Sequence, residues 1–248
     1  DRVSYSSPVQ IPGTWKTHKG AIGCGQEYAF AIRSNGKLWA WGKNDNGGFG
    51  VGNQPSNYRR SSPVQIGPNS TWKTINAGGG YGLQLATKTD GTLWAWGFND
   101  NGQLGQNDRT NKSSPVQVGS DTTWANVYNA NSGPMATKTD NTLWSWGNSQ
   151  QGRLGLNDNT KRSSPTQIPG TNWKNDVDSV GSANYSWHAI KTDGTWWSWG
   201  ENNVGQLGQN NRTEYSSPRQ VYSGTQWYAV AGVSSKVGKT FMALRLKN

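Results

Sequence analysis

Residues 92–105 read Thr92-Leu93-Trp94-Ala95-Trp96-Gly97-Phe98-Asn99-Asp100-Asn101-Gly102-Gln103-Leu104-Gly105. The two indoles stand two apart, so in a strand they share one face. Ala95 between them is small and points the other way. One face therefore buries two large rings while the other lies close against a neighbour. The element Leu-Trp-Ala/Ser-Trp-Gly, or its variant Trp-Trp-Ser-Trp-Gly, ends at Gly42, Gly97, Gly147 and Gly200, in steps of 55, 50 and 53 residues. A second marker, Ser-Ser-Pro, has its proline at Pro8, Pro63, Pro115, Pro165 and Pro218, in steps of 55, 52, 50 and 53. Two independent markers with closely similar spacing define a tandem repeat.

Working outward from the paired indoles, each unit has the same order of parts. Ser-Ser-Pro leads into a short strand such as Val64-Gln65-Ile66. A tryptophan (Trp15, Trp72, Trp124, Trp173 or Trp227) opens a second apolar stretch. A small-residue segment follows, such as Ala77-Gly78-Gly79-Gly80. Then come an alternating strand (Gln84 to Lys88), a turn and the Trp-x-Trp strand. The turn is Asn35-Gly36, Asp90-Gly91, Asp140-Asn141 or Asp193-Gly194. Such pairs accept positive φ at both central positions, which predicts type I′ hairpins. Trp39, Trp41, Trp94, Trp96, Trp144, Trp146, Trp197 and Trp199 are the expected structural core. No helical periodicity of useful length occurs.

Four short strands cannot bury both faces of a sheet alone, and stacking units side by side solves this. Four strands in about 50 residues suit a propeller blade better than a β-helix coil. The expected fold is all-β: one propeller domain over 1–248 with units near 8–62, 63–114, 115–164, 165–217 and 218–248. Four units are complete. The fifth reaches Phe241–Leu246 and stops before its Trp-x-Trp strand. About five four-stranded blades then form a closed or nearly closed ring, with residues 8–11 completing the last blade. An open arc cut from a larger ring is the alternative.

Composition agrees. Apolar residues are 31% of the 248, yet 15 tryptophans supply a core of few, large side chains, and 33 glycines supply turns. Charged residues, at 15%, are too few for a self-repelling coil. The single cysteine, Cys24, excludes an internal disulfide framework. No apolar run reaches the ~18 residues of a membrane span. A start at Asp1 without a signal region points to a processed or partial product of a longer polypeptide. The net charge of +10 favours anionic partners, with plain solubility as the competing explanation.

The stretch from Thr92 to Gly105, and Trp197-Ser198-Trp199-Gly200-x-Asn202-x-x-Gly205-Gln206-Leu207-Gly208, resemble the regulator of chromosome condensation repeat. The resemblance covers nearly the whole chain. The first unit departs from it with Gly47-Gly48-Phe49-Gly50, and the third with Gly152-Arg153-Leu154-Gly155. It implies a propeller of four-stranded blades, typically seven. In style the chain is closest to secreted, bacterial-surface or phage virion members of that family.

Catalytic signals are weak. His188 takes the place of Leu85 and Met135 in an alternating strand and reads as a core residue. His18 reads as surface. Neither belongs to a His-Glu-x-x-His motif, and there is no nucleophile elbow, phosphate loop or dinucleotide fingerprint. Cys24 stands where the second unit has Gly79 and reads as a small buried filler. Asn44–Gly47 has the wrong spacing for a calcium loop and reads as a turn. No cofactor and no metal are expected.

Cations recur in the loops before Ser-Ser-Pro: Arg2, Arg59 and Arg60, Arg109 and Lys112, Lys161 and Arg162, and Arg212. In a propeller such positions share one rim, so the repeat turns scattered charges into a positive ring. A solvated loop edge is the competing reading. Tyr58 and Tyr215, with Asn107, Asn157 and Asn210, suit adaptable polar recognition. The leading expectation is a non-enzymatic binding or structural module that uses these loops on a protein or an anionic cell-surface glycan. It would be extracellular or virion-borne, as a phage tail or capsid accessory protein beside other virion proteins, or a surface adhesin. Nucleic acid is a lesser candidate, and membrane insertion is not expected. Two alternatives remain. One is a nuclear or cytoplasmic chromatin-binding module that exchanges nucleotide on a small GTPase, as the resemblance implies. The other is a propeller-type enzyme inhibitor.

Overall fold

The computed structural model describes residues 7–25, 27–44, 47–52, 58–68, 71–77, 82–130, 133–183, 185–232 and 241–245. The first sheet holds β1 (Ile22–Cys24), β2 (Tyr28–Ile32), β3 (Leu38–Lys43) and β4 (Arg59–Gln65). The second holds β5 (Trp72–Ala77), β6 (Gln84–Lys88), β7 (Leu93–Gly97) and β8 (Lys112–Gln117). The third holds β9 (Trp124–Ala130), β10 (Gly133–Lys138), β11 (Leu143–Gly147) and β12 (Arg162–Gln167). The fourth holds β13 (Val180–Ala183), β14 (Ser186–Ile190), β15 (Trp196–Gly200) and β16 (Tyr215–Gln220). A fifth, two-stranded sheet pairs β17 (Trp227–Gly232) with β18 (Phe241–Arg245). Every pairing is antiparallel between chain neighbours. The first strands pack in succession, β1 on β5, β5 on β9, β9 on β13 and β13 on β17, which sets them around a common axis. The fold is the expected all-β propeller of five blade units.

The Ser-Ser-Pro segments do not open a blade. The four that end at Pro63, Pro115, Pro165 and Pro218 each lie inside a strand that begins before them and closes the sheet of the preceding Trp-x-Trp strand, as Lys112↔Gly97 and Arg162↔Gly147 show. Residues 8–11 form no strand, and they are exposed. The hairpin turns also differ from expectation. Gly91 N–H bonds Lys88 C=O at 3.0 Å, and Gly91 alone of the Asp90-Gly91 pair has positive φ, at 79°. This is a type I turn over Thr89-Asp90 followed by a left-handed residue, the longer hairpin alternative to type I′. Asp90 stays on the right-handed side because its carboxylate is engaged: Oδ1 accepts from Thr92 N at 3.0 Å and from Thr92 Oγ1 at 2.7 Å.

The Trp-x-Trp expectation divides into two jobs. The second indole locks blade to blade. Trp96 Nε1 donates to Gly48 C=O at 3.0 Å, Trp146 to Gln103 C=O at 2.8 Å and Trp199 to Arg153 C=O at 3.1 Å, and all three rings are fully buried. The first indole works inside its own blade. Trp94, Trp144 and Trp197 are half-buried, and each donates at 2.8 Å to the turn threonine, Thr92, Thr142 or Thr195. In the first blade Trp39 and Trp41 are both half-buried. The intervening Ala40, Ala95, Ser145 and Ser198 are fully buried against the next layer. After each pair the strand bulges at a glycine. Gly97 has φ 99°, and a Cβ there would stand 1.8 Å from Gly82 C=O, so no other residue fits.

Candidate protein-binding face

The propeller has two faces. One carries the β2–β3, β6–β7, β10–β11 and β14–β15 hairpins. The other carries the long loops between third and fourth strands. On the long-loop face a buried asparagine pins three of the four loops, and in the third blade Ser149 takes that place, its Oγ donating to Asp158 C=O at 3.2 Å. Asn99 Oδ1 accepts from Leu104 N at 2.8 Å, and its Nδ2 donates to Asp108 C=O, Asp108 Oδ1 and Thr110 C=O. Asn202 repeats this with Leu207, Asn211 and Thr213, and Asn44 accepts from Phe49 N at 2.7 Å. The tip then reaches the next blade: Gly52 N bonds Ser113 C=O, Asn107 N bonds Ser163 C=O and Asn157 N bonds Ser216 C=O, at 2.7–2.8 Å. Asn107, Asn157 and Asn210 sit at φ 57°, 63° and 54°, so they shape the loop in a conformation asparagine tolerates.

The expected cations fall into three groups. Arg59, Arg109 and Arg212 are exposed and make no ion pair among the described residues. Arg60 and Lys161 have neutral partners: Arg60 Nε donates to Tyr58 Oη at 2.6 Å, and Lys161 Nζ donates to Asn101 Oδ1 of the preceding blade at 2.7 Å. Lys112 and Arg162 are neutralised in place, by Asp108 at 2.8 Å and Asp158 at 2.6 Å. These bonds also hold the two carboxyls below the usual carboxylate range: for Asp108 the Lys112 ammonium leads, and for Asp158 the Thr160 backbone N–H does. Arg59, Arg60, Lys112 and Arg162 lie on the opening residues of strands rather than in loops. Arg2 lies outside the described residues, as do Gly78–Gly80. The positive rim is therefore sparser than the residue count alone suggests.

The two expected aromatic contacts are already engaged. Tyr58 packs edge-on against Phe49 at 6.2 Å and carries the Arg60 guanidinium 4.4 Å above its ring. Tyr215 Oη accepts from Asn211 Nδ2 at 3.0 Å, with the Arg219 guanidinium 5.2 Å over the ring. His18 is exposed, as expected. Cys24 is exposed, against expectation, because it ends the short β1 at the rim of its sheet.

The hairpin face carries a feature that sequence reading missed. A cation is held over two indoles in each of four blades. Arg33 stands over Trp15 and Trp39 at 5.2 and 4.1 Å, Lys88 over Trp72 and Trp94 at 5.0 and 3.6 Å. Lys138 stands over Trp124 and Trp144 at 4.8 and 3.9 Å, Lys191 over Trp173 and Trp197 at 4.9 and 4.4 Å. Each such contact contributes about 0.5–2 kcal/mol. Burial pushes the Lys88 ammonium below its ordinary pKa. The signal was present: a Lys or Arg stands two residues before every turn Asn or Asp. At the axis, the longer first segments of blades one and four form matching turns, Ala21 N to His18 C=O and Ser179 N to Asp176 C=O. The two turns meet through a Lys19–Asp178 ion pair beside a hollow of about 490 Å³.

Comparison with known proteins follows this geometry. A family model described as the regulator of chromosome condensation (RCC1) repeat matches residues 35–85, 90–129, 140–186 and 193–235, and a second model of that description matches 21–47. The chain is 29% identical over 97 residues to the probable E3 ubiquitin-protein ligase HERC3 of Homo sapiens, covering 39% of this chain and 9% of that protein. It is 29% identical over 114 residues to the ultraviolet-B receptor UVR8 of Arabidopsis thaliana, covering 46% and 25%. Its fold matches Prp20p of Saccharomyces cerevisiae with a TM-score of 0.77 at 18% identity, covering 98% of this chain and 59% of Prp20p. The chain thus spans a quarter or less of these two curated relatives and under two thirds of the solved structure.

Proposed function

Because the chain belongs to the regulator of chromosome condensation repeat family, we propose that it is a non-enzymatic protein-binding propeller whose long-loop face meets an acidic surface of a partner protein. The observation that carries this reading is the pinned loop. Asn99 and Asn202 hold the loops in one shape, so Arg109 and Arg212 are presented from fixed positions on one rim, with Arg59 beside the first loop. Ordering costs at the interface are thereby already met. A glycan is less favoured as ligand at the two tyrosines of this face, since Tyr58 packs on Phe49 under Arg60 and Tyr215 carries Arg219 over its ring. The virion, phage-tail and adhesin settings rest on composition alone. A nuclear or cytoplasmic setting is the alternative to them.

The exchange-factor reading has one supporting observation. Prp20p, which shares the fold, is described by its binding to Gsp1p and histones. Both readings are tested with the triple variant Arg59→Glu, Arg109→Glu, Arg212→Glu. Surface plasmon resonance against a Gsp1p-type GTPase, histones and a glycan array should show salt-dependent protein binding that drops on the order of tenfold or more in the variant. Glycan binding without protein binding overturns the proposal. Accelerated nucleotide release from the GTPase selects the exchange-factor reading, and unchanged release rejects it.

A further inference from the structure

One position of the repeat alternates between an aliphatic residue and glutamine along the chain. After the Gly-x-Leu-Gly or Gly-x-Phe-Gly motif comes Val51 in the first blade, Gln106 in the second, Leu156 in the third and Gln209 in the fourth. Val51 packs on the core cluster that also carries Trp94, and Leu156 packs on the one that also carries Trp197. Gln106 brings an amide to this position instead. Its Nε2 turns back to donate to Gln117 C=O at 3.0 Å. A groove of about 480 Å³ remains between the second and third blades, floored by Trp124, Trp144 and Val118 and walled by Pro165 and Gln106.

We propose that this groove seats an aliphatic side chain of a partner protein, carried on an extended segment next to a basic residue. The molecule itself indicates what the site accepts, because at two of the three other junctions the same position is aliphatic, Val51 and Leu156, each packed on its core cluster. The volume exceeds one side chain, which leaves room for flanking backbone. The charge at the lip sets the neighbour. Asp121 and Lys138 form an ion pair there, but the Lys138 side chain is only 12% exposed while that of Asp121 is 36% exposed. Lys138 is drawn down over Trp124 and Trp144, so the carboxylate is the charge a partner meets. Partial burial works against that charge, yet bonds from Lys138 and Thr123 outweigh it and bring the Asp121 pKa down to about 2.

The test uses the whole chain labelled with 15N, and follows the indole N–H signals of Trp124 and Trp144. The probes are N-acetyl-Leu-Arg-amide, N-acetyl-Leu-Glu-amide and methyl glucoside. The Leu-Arg probe should shift both indoles saturably and bind several-fold tighter than Leu-Glu, a preference erased by Asp121→Asn. Gln106→Leu should abolish the shifts while leaving thermal stability equal or higher, since it copies Leu156. Absent shifts, shifts that survive Gln106→Leu, or a response to the glucoside alone each overturn the proposal. The triple arginine variant described above should bind the probe normally, which separates this site from the long-loop face.

Discussion

His188 and Trp196 form a pair that only the fourth blade uses. The first three blades place Phe30, Leu85 and Met135 opposite Ala40, Ala95 and Ser145, where the fourth places His188 opposite Ser198. They place leucine where the fourth has Trp196. An indole N–H brought into this layer needs an acceptor, and His188 Nδ1 accepts it at 3.0 Å. That fixes the proton on Nε2 and keeps the ring neutral. Burial pushes the His188 pKa down to about 3, against an ordinary 6.5. The unfolded chain therefore takes up a proton as pH falls through about 6.5, and the folded chain refuses it until about 3. Stability is complete above that window and is lost as pH falls through it, by up to ~1.4 kcal/mol per pH unit. The double variant His188→Met, Trp196→Leu copies the pair of the third blade and removes the titrating group. Urea unfolding from pH 7 to pH 4 should show the wild type losing at least about 2 kcal/mol more than the variant. Parallel curves would refute the assignment.

Among elements, the third strand of each blade carries the joint to the blade before it. Trp96→Phe keeps most of the ring but strands the Gly48 carbonyl, so it should cost about 2–4 kcal/mol. Trp146→Phe and Trp199→Phe should match it. Trp41→Phe should cost less than about 1.5 kcal/mol, because Trp41 is half-buried and locks onto no loop among the described residues. Equal losses at all four positions, by urea denaturation, would mean that the indoles act by size alone. Asn99→Ala removes an acceptor and up to three donor contacts from a fully buried site, and should cost about 2–4 kcal/mol while loosening the loop that bears Arg109. Much of this was legible in sequence, because a repeat states its constraint several times. The Trp-x-Trp spacing pointed to the strand and its buried face, and Ser-Ser-Pro with it to five units. What escaped depends on the third dimension or on side-chain chemistry. Asp90 reads as a type I′ turn residue until its carboxylate is seen bonding Thr92. Lys112 and Arg162 read as free cations until Asp108 and Asp158, four residues earlier, are seen folded back onto them. Lys88 reads as a strand-end charge until the indoles are seen closing over it.

At the scale of the molecule, stability follows from how many neighbours each blade has. Blades two, three and four have an inner strand packed on both sides and an indole donated to the blade before. The first blade donates no Trp-x-Trp indole to another blade among the described residues, and the fifth contributes a described sheet of two strands, β17 and β18. The Lys19–Asp178 pair links blades one and four near the axis, but both groups are largely exposed, so it contributes little to holding those blades together. In a stacked architecture each unit is stabilised by its own folding and by its interfaces, so units with one interface open first. Hydrogen exchange should therefore be graded. Amides of β10 and β11 should be the slowest, and those of β2 and β18 should exchange on the order of tenfold or more faster. The gradient also has a direction that a variant exposes. Trp146→Phe breaks the joint between the second and third blades, so it should speed exchange in both while leaving β14 and β15 nearer their wild-type rates. Uniform protection across all blades, or a uniform response to Trp146→Phe, would show that the propeller opens as one unit and that the indole joints are not where its cooperativity resides.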